Sequence, residues 1–262
     1  MINCENCSNV FEGKFCSQCG QKATVKRITL KSVFAELIKK ITIWDKGLMY
    51  TTVQLLKGPG KMARAYIGGQ RVNFTKPLTY ILLTVTLSMY FFPKKDFDQV
   101  VSAGAQKQAA VLQSTDWIFS NMGIIYLLLL PFLAWVSRWF NRKSQFNFAE
   151  QFVFYAYLMA GCTLVIIPFT CVLNILEMNT VDVSPLTILE YCCWLLFFAW
   201  GYVQFYNKQR SYWGGVQGIL VLLLSYIIYI FSMGMIWAIA IIIDRVFHLN
   251  LITLPNTALP TQ

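Results

Sequence analysis

Charge and histidine are both scarce in this chain. Only 13% of its 262 residues are charged, about half the ~25% of an average soluble domain. A core of this size cannot hide the chain's five long apolar runs, so composition excludes an ordinary soluble enzyme. The one histidine, His248, lies beyond the last apolar run, which leaves no histidine-based triad or metal site within the runs. No HExxH and no Ser-Lys pair stands in a run, and the G-P-G-K stretch at 58–61 is not a P-loop. Disorder is excluded too, because Phe, Trp and Tyr make up 16% of the chain.

What charge there is lies mostly at one end. Residues 1–76 carry 13 Lys and Arg against Glu5, Glu12, Glu36 and Asp45; the other 186 residues carry nine basic and eight acidic groups. The basic head holds no uncharged apolar stretch of spanning length, so no secretory signal is expected.

After the head come charge-free runs at 77–93, 117–137, 151–176, 191–207 and 211–243. Crossing about 30 Å of hydrocarbon at 1.5 Å per residue takes roughly 20 apolar residues. Five spans are expected, near 78–93, 118–138, 152–175, 188–206 and 217–243, the first being the shortest. Lys76 and Lys94 would reach the interfaces by snorkelling. With the N-terminus inside, inner segments hold 18 Lys and Arg and outer ones four, which places the head in the cytoplasm. Trp117, Trp135, Trp139, Trp200, Tyr202 and Trp213 suit the headgroup belt at the ends of the runs. Glu190, Asp244 and Arg245 sit only at run ends, which argues against an ion-coupled pump. Pro131 and Pro168 are expected to kink the second and third spans.

The sharpest motif is Cys4-x2-Cys7-x8-Cys16-x2-Cys19. Each C-x2-C pair makes a knuckle, and two facing knuckles supply four soft ligands for a closed tetrahedral Zn2+ site. Residues 10–15 read as a minimal hairpin between the knuckles. Disulfides are disfavoured in a reducing cytoplasm; an iron–sulfur cluster shares the ligand type. A catalytic zinc would need an open position that four thiolates do not leave. Cys162, Cys171, Cys192 and Cys193 lie inside apolar runs and read as packing residues.

Between ribbon and membrane, Leu30, Val33, Phe34, Leu37, Ile38 and Ile41 form one face of an amphipathic helix. A second helical segment covers 44–56, Gly58-Pro59-Gly60 reads as a loop, and 61–67 follows. These helices either pack on the inner ends of the spans or lie in the interface over anionic headgroups. Lys57, Lys61, Arg64 and Arg71 are the residues assigned to headgroup or anion contact. A nucleic-acid partner is not expected, because lysines beside a membrane already have an anionic neighbour.

The ribbon with its Phe15-Cys16-Ser17-Gln18-Cys19-Gly20-Gln21-Lys22 close, Arg27-Ile28-Thr29-Leu30, Trp44-Asp45-Lys46-Gly47 and the 55–67 stretch lead into Arg71 and Lys76-Pro77-Leu78. This order resembles a bacterial domain-of-unknown-function family of multi-pass membrane proteins with an N-terminal zinc ribbon. The resemblance is most specific over residues 4–92. It implies a bacterial inner-membrane location and an architecture, but carries no activity with it.

The expectation is an all-α polytopic membrane protein: a zinc ribbon over 1–22, basic amphipathic juxtamembrane helices over 23–76, and a transmembrane helical domain over 77–262. It is expected to bind one structural Zn2+ and the lipid bilayer, and to dock a protein partner or a second copy as a non-enzymatic scaffold or adaptor. The alternative is a transporter, channel or lipid-handling component. A membrane enzyme has no residue constellation behind it.

Overall fold

The computed structural model describes residues 1–25, 27–33, 47–91, 122–175, 185–206 and 212–247. Most of the amphipathic series at 34–41, the 94–116 loop, Lys208, Arg210 and His248 lie outside the described residues. Among the described residues, two short strands, β1 (Ile2–Asn3) and β2 (Val10–Phe11), precede the helices α1 (Gly47–Lys57), α2 (Pro59–Ile67), α3 (Pro77–Phe91), α4 (Met122–Phe140), α5 (Phe148–Ile175), α6 (Pro185–Phe205) and α7 (Tyr212–Phe247).

Helix α5 is the axis of the fold. Every residue from 151 to 163 is buried, because α1, α2, α3, α4 and α6 all pack against it. A helix apolar on all sides is one built to be enclosed by others. Helix α7 closes the bundle against α4 and α6. Phe205 of α6 lies between Phe154 of α5, 3.9 Å away and nearly parallel, and Phe146 of the α4–α5 loop, 4.4 Å away.

Among the described residues, three helical stretches are long and apolar enough to cross a membrane: Phe148–Val172, Ile188–Phe205 and Trp213–Met235. This is fewer than the five expected. Helix α3 is the short one: its 15 residues rise only about 22 Å, while the 19 described residues of α4 rise about 28 Å. Pro131 and Pro168 both lie inside their helices.

Three local expectations change. Gly58-Pro59-Gly60 is not a loop, since α2 begins at Pro59 itself, where a missing N–H costs nothing and φ is already helical. Only Gly58 separates α1 from α2. Gly60 is needed for a close approach: a Cβ there would overlap the backbone of Gly201 and Phe205 on α6. Second, α6 begins at Pro185, ahead of the span expected from 188, so Glu190 lies one turn inside the helix and is only 8% exposed. Third, the ribbon's hairpins are the knuckles themselves, not residues 10–15, as the pairing below shows.

Candidate metal centre

The two halves of the ribbon repeat one construction. In the first, Cys4 N–H donates to Asn9 O at 2.9 Å and Ser8 N–H to Cys4 O at 2.8 Å. In the second, Cys16 N–H donates to Gln21 O at 2.7 Å and Gly20 N–H to Cys16 O at 2.9 Å. Each knuckle is thus the tip of its own hairpin. The first is flanked by β1–β2 pairing, Ile2 with Phe11 and Asn3 with Val10; the second by the Phe15–Lys22 bridge. The residue after each second cysteine turns left-handed, Ser8 at φ 59° and Gly20 at φ 74°.

This construction turns four sulfurs inward. Cys4 Sγ lies 3.5 Å from Cys19 Sγ, and Cys7 Sγ lies 3.6 Å from Cys16 Sγ. All four sulfurs fall within 4.8 Å of one another. Four thiolates at about 2.3 Å from a tetrahedral ion would stand about 3.8 Å apart, so the cluster is the size of a metal site. All eight cysteines, these four included, are free thiols.

The electrostatics of the four thiols are uneven. Burial pushes the Cys16 thiol up, yet the Cys19 and Gln18 amides at its sulfur and the Cys7 and Cys19 thiols bring it down to about 6. Cys4 is likewise lowered despite burial, chiefly by the amides of Cys7 and Asn6. Cys7 has the Asn9 amide to lower it, but burial and the three other sulfurs outweigh that and push it up to about 12. Thiols this close cannot all ionise unless a positive ion sits among them.

Little else holds the ribbon together. Its core is Cys4, Cys16 and Phe11, with Cys7, Cys19 and Ala23 packed around them, and is separate from the core of the bundle. A core made mostly of four clustered cysteines is of the kind that a bound metal ion would stabilise.

The ribbon is fastened to the bundle at two places. Gln21 Nε2 donates to Gly69 O in the turn after α2, and Glu5 and Val25 side chains lie against the Gly69 backbone. Arg27 grips Glu150 with two hydrogen bonds, Nε to Oε1 at 2.7 Å and Nη2 to Oε2 at 3.1 Å, and Nη2 also donates to Gln145 O at 2.7 Å. Asn147 Nδ2 adds a bond to Ile28 O at 3.1 Å. Glu150 is held for this purpose by a capping box. Glu150 N–H donates to Asn147 Oδ1, and Asn147 N–H donates to Glu150 Oε2, both at 2.8 Å.

Arg27, Asn147 and Glu150 were missed as a docking set. The Asn-x-x-Glu spacing just before an apolar run is a helix-start signal that sequence alone displays; its pairing with a residue 123 positions away is not.

The four basic residues assigned to anion contact divide in two. Lys57 at the end of α1 and Lys61 on α2 are exposed. Arg64 is half-buried and donates Nη2 to Gln204 O, clamping α2 to α6. Arg71, also half-buried, donates Nε to Tyr66 O at 3.3 Å, its guanidinium 5.7 Å from the Tyr66 ring centre.

The fold and site together define a helical protein with membrane-length helices and a four-cysteine cluster at its N-terminus able to hold a metal ion. Residues 45–89 match a family described as Protein of unknown function (DUF3667). That stretch covers the α1–α2 pair and most of α3, all of which pack against α5, with α2 also against α6. No curated relative and no solved structure matches the chain.

Proposed function

We propose that this chain is a non-enzymatic scaffold or adaptor of the bacterial inner membrane, whose cytoplasmic ribbon holds one structural Zn2+ and docks a protein partner or a second copy. The observation carrying this reading is the ribbon's mounting. Arg27 and Gln21 anchor it to the bundle, while Ile2, Val10 and Phe15 stay 40%, 58% and 56% exposed. A small rigid module with uncovered apolar side chains is suited to contact with another protein. Zinc is favoured because four thiolates close a tetrahedral shell, leaving no position for chemistry.

The same reading has five helices in the bilayer. Helices α3 and α4 pack against α5 beside the longer spans, and snorkelling and bilayer thinning accommodate short spans at modest cost. On α1, Met49, Val53 and Leu56 form an exposed apolar stripe that would meet lipid, with Lys57 and Lys61 over anionic headgroups.

In-cell crosslinking with mass spectrometry tests the adaptor role, comparing wild type with Cys16→Ser/Cys19→Ser at equal abundance. A specific partner that disappears with the ribbon is expected. Identical contacts in both forms would make the ribbon a structural cap only.

A second reading, transport or lipid handling, is favoured by Glu190, a carboxylate 8% exposed within the Ile188–Phe205 stretch. Selective flux through proteoliposomes that is lost in Glu190→Gln would replace the scaffold reading.

A further inference from the structure

Helix α4 ends in a side-chain pattern that neither the bundle core nor the ribbon uses. Trp135, Arg138 and Trp139 on α4, and Arg142 in the turn that follows, read W-x-x-R-W-x-x-R. This spacing brings them to one face. Together they line an open groove of about 610 Å3. The two indoles are 60% and 59% exposed, much of their surface uncovered by the protein.

The groove carries two cations, Arg138 and Arg142, that no acidic side chain among the described residues pairs with. Among the described residues the ion pairs are Met1–Glu12 and Arg27–Glu150, so neither Arg138 nor Arg142 has an acidic partner there. Like charges one helical turn apart repel, and an anion from outside the chain would relieve this. The Arg138 side chain and the backbone that carries Arg142 are both tethered. Arg138 Nη1 donates to Phe146 O at 3.2 Å. The turn bearing Arg142 is fixed by Asn141, whose N–H donates to Ser137 O at 2.9 Å and whose Nδ2 donates to Tyr202 OH at 2.7 Å. Arg142 itself makes no hydrogen bond among the described residues.

Guanidinium forks match phosphate oxygens, and exposed indoles sit well at the level of headgroups and glycerol. An aromatic belt or an inner positive bias would account for each residue singly. Neither requires that two arginines and two tryptophans alternate around one groove.

We propose that this groove binds the headgroup of an anionic phospholipid, its phosphate between Arg138 and Arg142 and its apolar part against Trp135 and Trp139. The inference rests on α4 crossing a bilayer. It assigns a lipid site to a face distinct from Lys57 and Lys61.

The test is native mass spectrometry of the full chain released from detergent, with phosphatidylglycerol, phosphatidylcholine or inorganic phosphate added separately. Phosphatidylglycerol should be retained in preference to phosphatidylcholine. Arg142→Gln should weaken that retention about fivefold and Arg138→Gln/Arg142→Gln about 25-fold, on the usual contribution of a basic residue near an anionic surface. Arg138 also supports the α4–α5 loop, so the single Arg142→Gln change and an independent Trp139→Leu change keep the test valid if the double variant does not fold. Equal retention of the two lipids, or retention unchanged in Arg142→Gln and Trp139→Leu, would overturn the proposal. Displacement of the lipid by an equal concentration of inorganic phosphate would assign the groove to free phosphate and overturn it as well. A topology reporter at Lys143, run in parallel, separates loss of the site from failure of α4 to span.

Discussion

Arg27 and Glu150 are joined by a two-pronged ion pair, 2.7 Å on one prong and 3.1 Å on the other, across 123 residues of sequence. The pair ties the segment after the ribbon to the first turn of α5, the most enclosed helix of the fold. The Arg27 side chain is 63% exposed and that of Glu150 only 6%, so the carboxylate is the member that suffers when the pair is broken.

Arg27→Ala should therefore destabilise the docked ribbon. Solvent screens the exposed arginine, so the loss should be modest. Hydrogen exchange should speed up in residues 1–25 with α5 unchanged. Arg27→Lys should recover only part of the loss, because an ammonium lacks the planar fork. Unaltered exchange in both variants would mean that Gln21 and the Gly69 turn hold the ribbon alone.

Asn147→Ala removes the other half of the capping box. Loss of such a cap costs about 0.5–2 kcal/mol, and here it also frees the Glu150 carboxylate that Arg27 grips. Combined with Arg27→Ala, the effects should be less than additive, since both act through Glu150. A thermal-unfolding cycle over the two single variants and the double variant measures this; strict additivity would separate the cap from the clasp.

Much of this arrangement was legible in the sequence, and the parts that were not have a common cause. The four-cysteine cluster follows from Cys-x2-Cys spacing because a knuckle is a local turn. The long helices follow from charge-free runs because apolar enclosure is set by composition. Gly58-Pro59-Gly60 misled, since its punctuation is the same for a loop and for a helix start at Pro59. What decides between them is the backbone of Gly201, which only the packed structure brings to Gly60. Arg64 shows the same limit: a basic residue near an interface looks like an anion contact until the Gln204 carbonyl is seen facing it.

Gly60→Ala tests that approach directly. A methyl group there overlaps the backbone of α6 at Gly201 and Phe205, where no flexible side chain can yield. Forcing α2 away should cost about 1–3 kcal/mol, seen as a lower midpoint of thermal unfolding in detergent. Gly215→Ala, where nothing lies within 4 Å of an added Cβ, is the control and should leave the midpoint nearly unchanged. Equal effects at the two positions would mean that α2 does not seat against α6.

The left-handed residues of the knuckles make opposite forecasts. Ser8 at φ 59° and Gly20 at φ 74° occupy matching places, and this conformation costs a residue with a side chain about 1–2 kcal/mol. Ser8→Gly should tighten metal binding severalfold, and Gly20→Val should weaken it at least tenfold, by competition with a chromogenic chelator. Equal affinities in the three proteins would show that the turn conformation does not limit the site.

The proposed role of the ribbon requires that Cys4, Cys7, Cys16 and Cys19 together hold one metal ion. The most direct measurement is elemental analysis of the purified full chain, with thiol titration on the same sample, for wild type and Cys16→Ser. One zinc per chain in the wild type, its removal releasing four additional reactive thiols, and almost none in the variant is the result expected. A metal-free wild type whose four ribbon thiols are intact and reactive would contradict it.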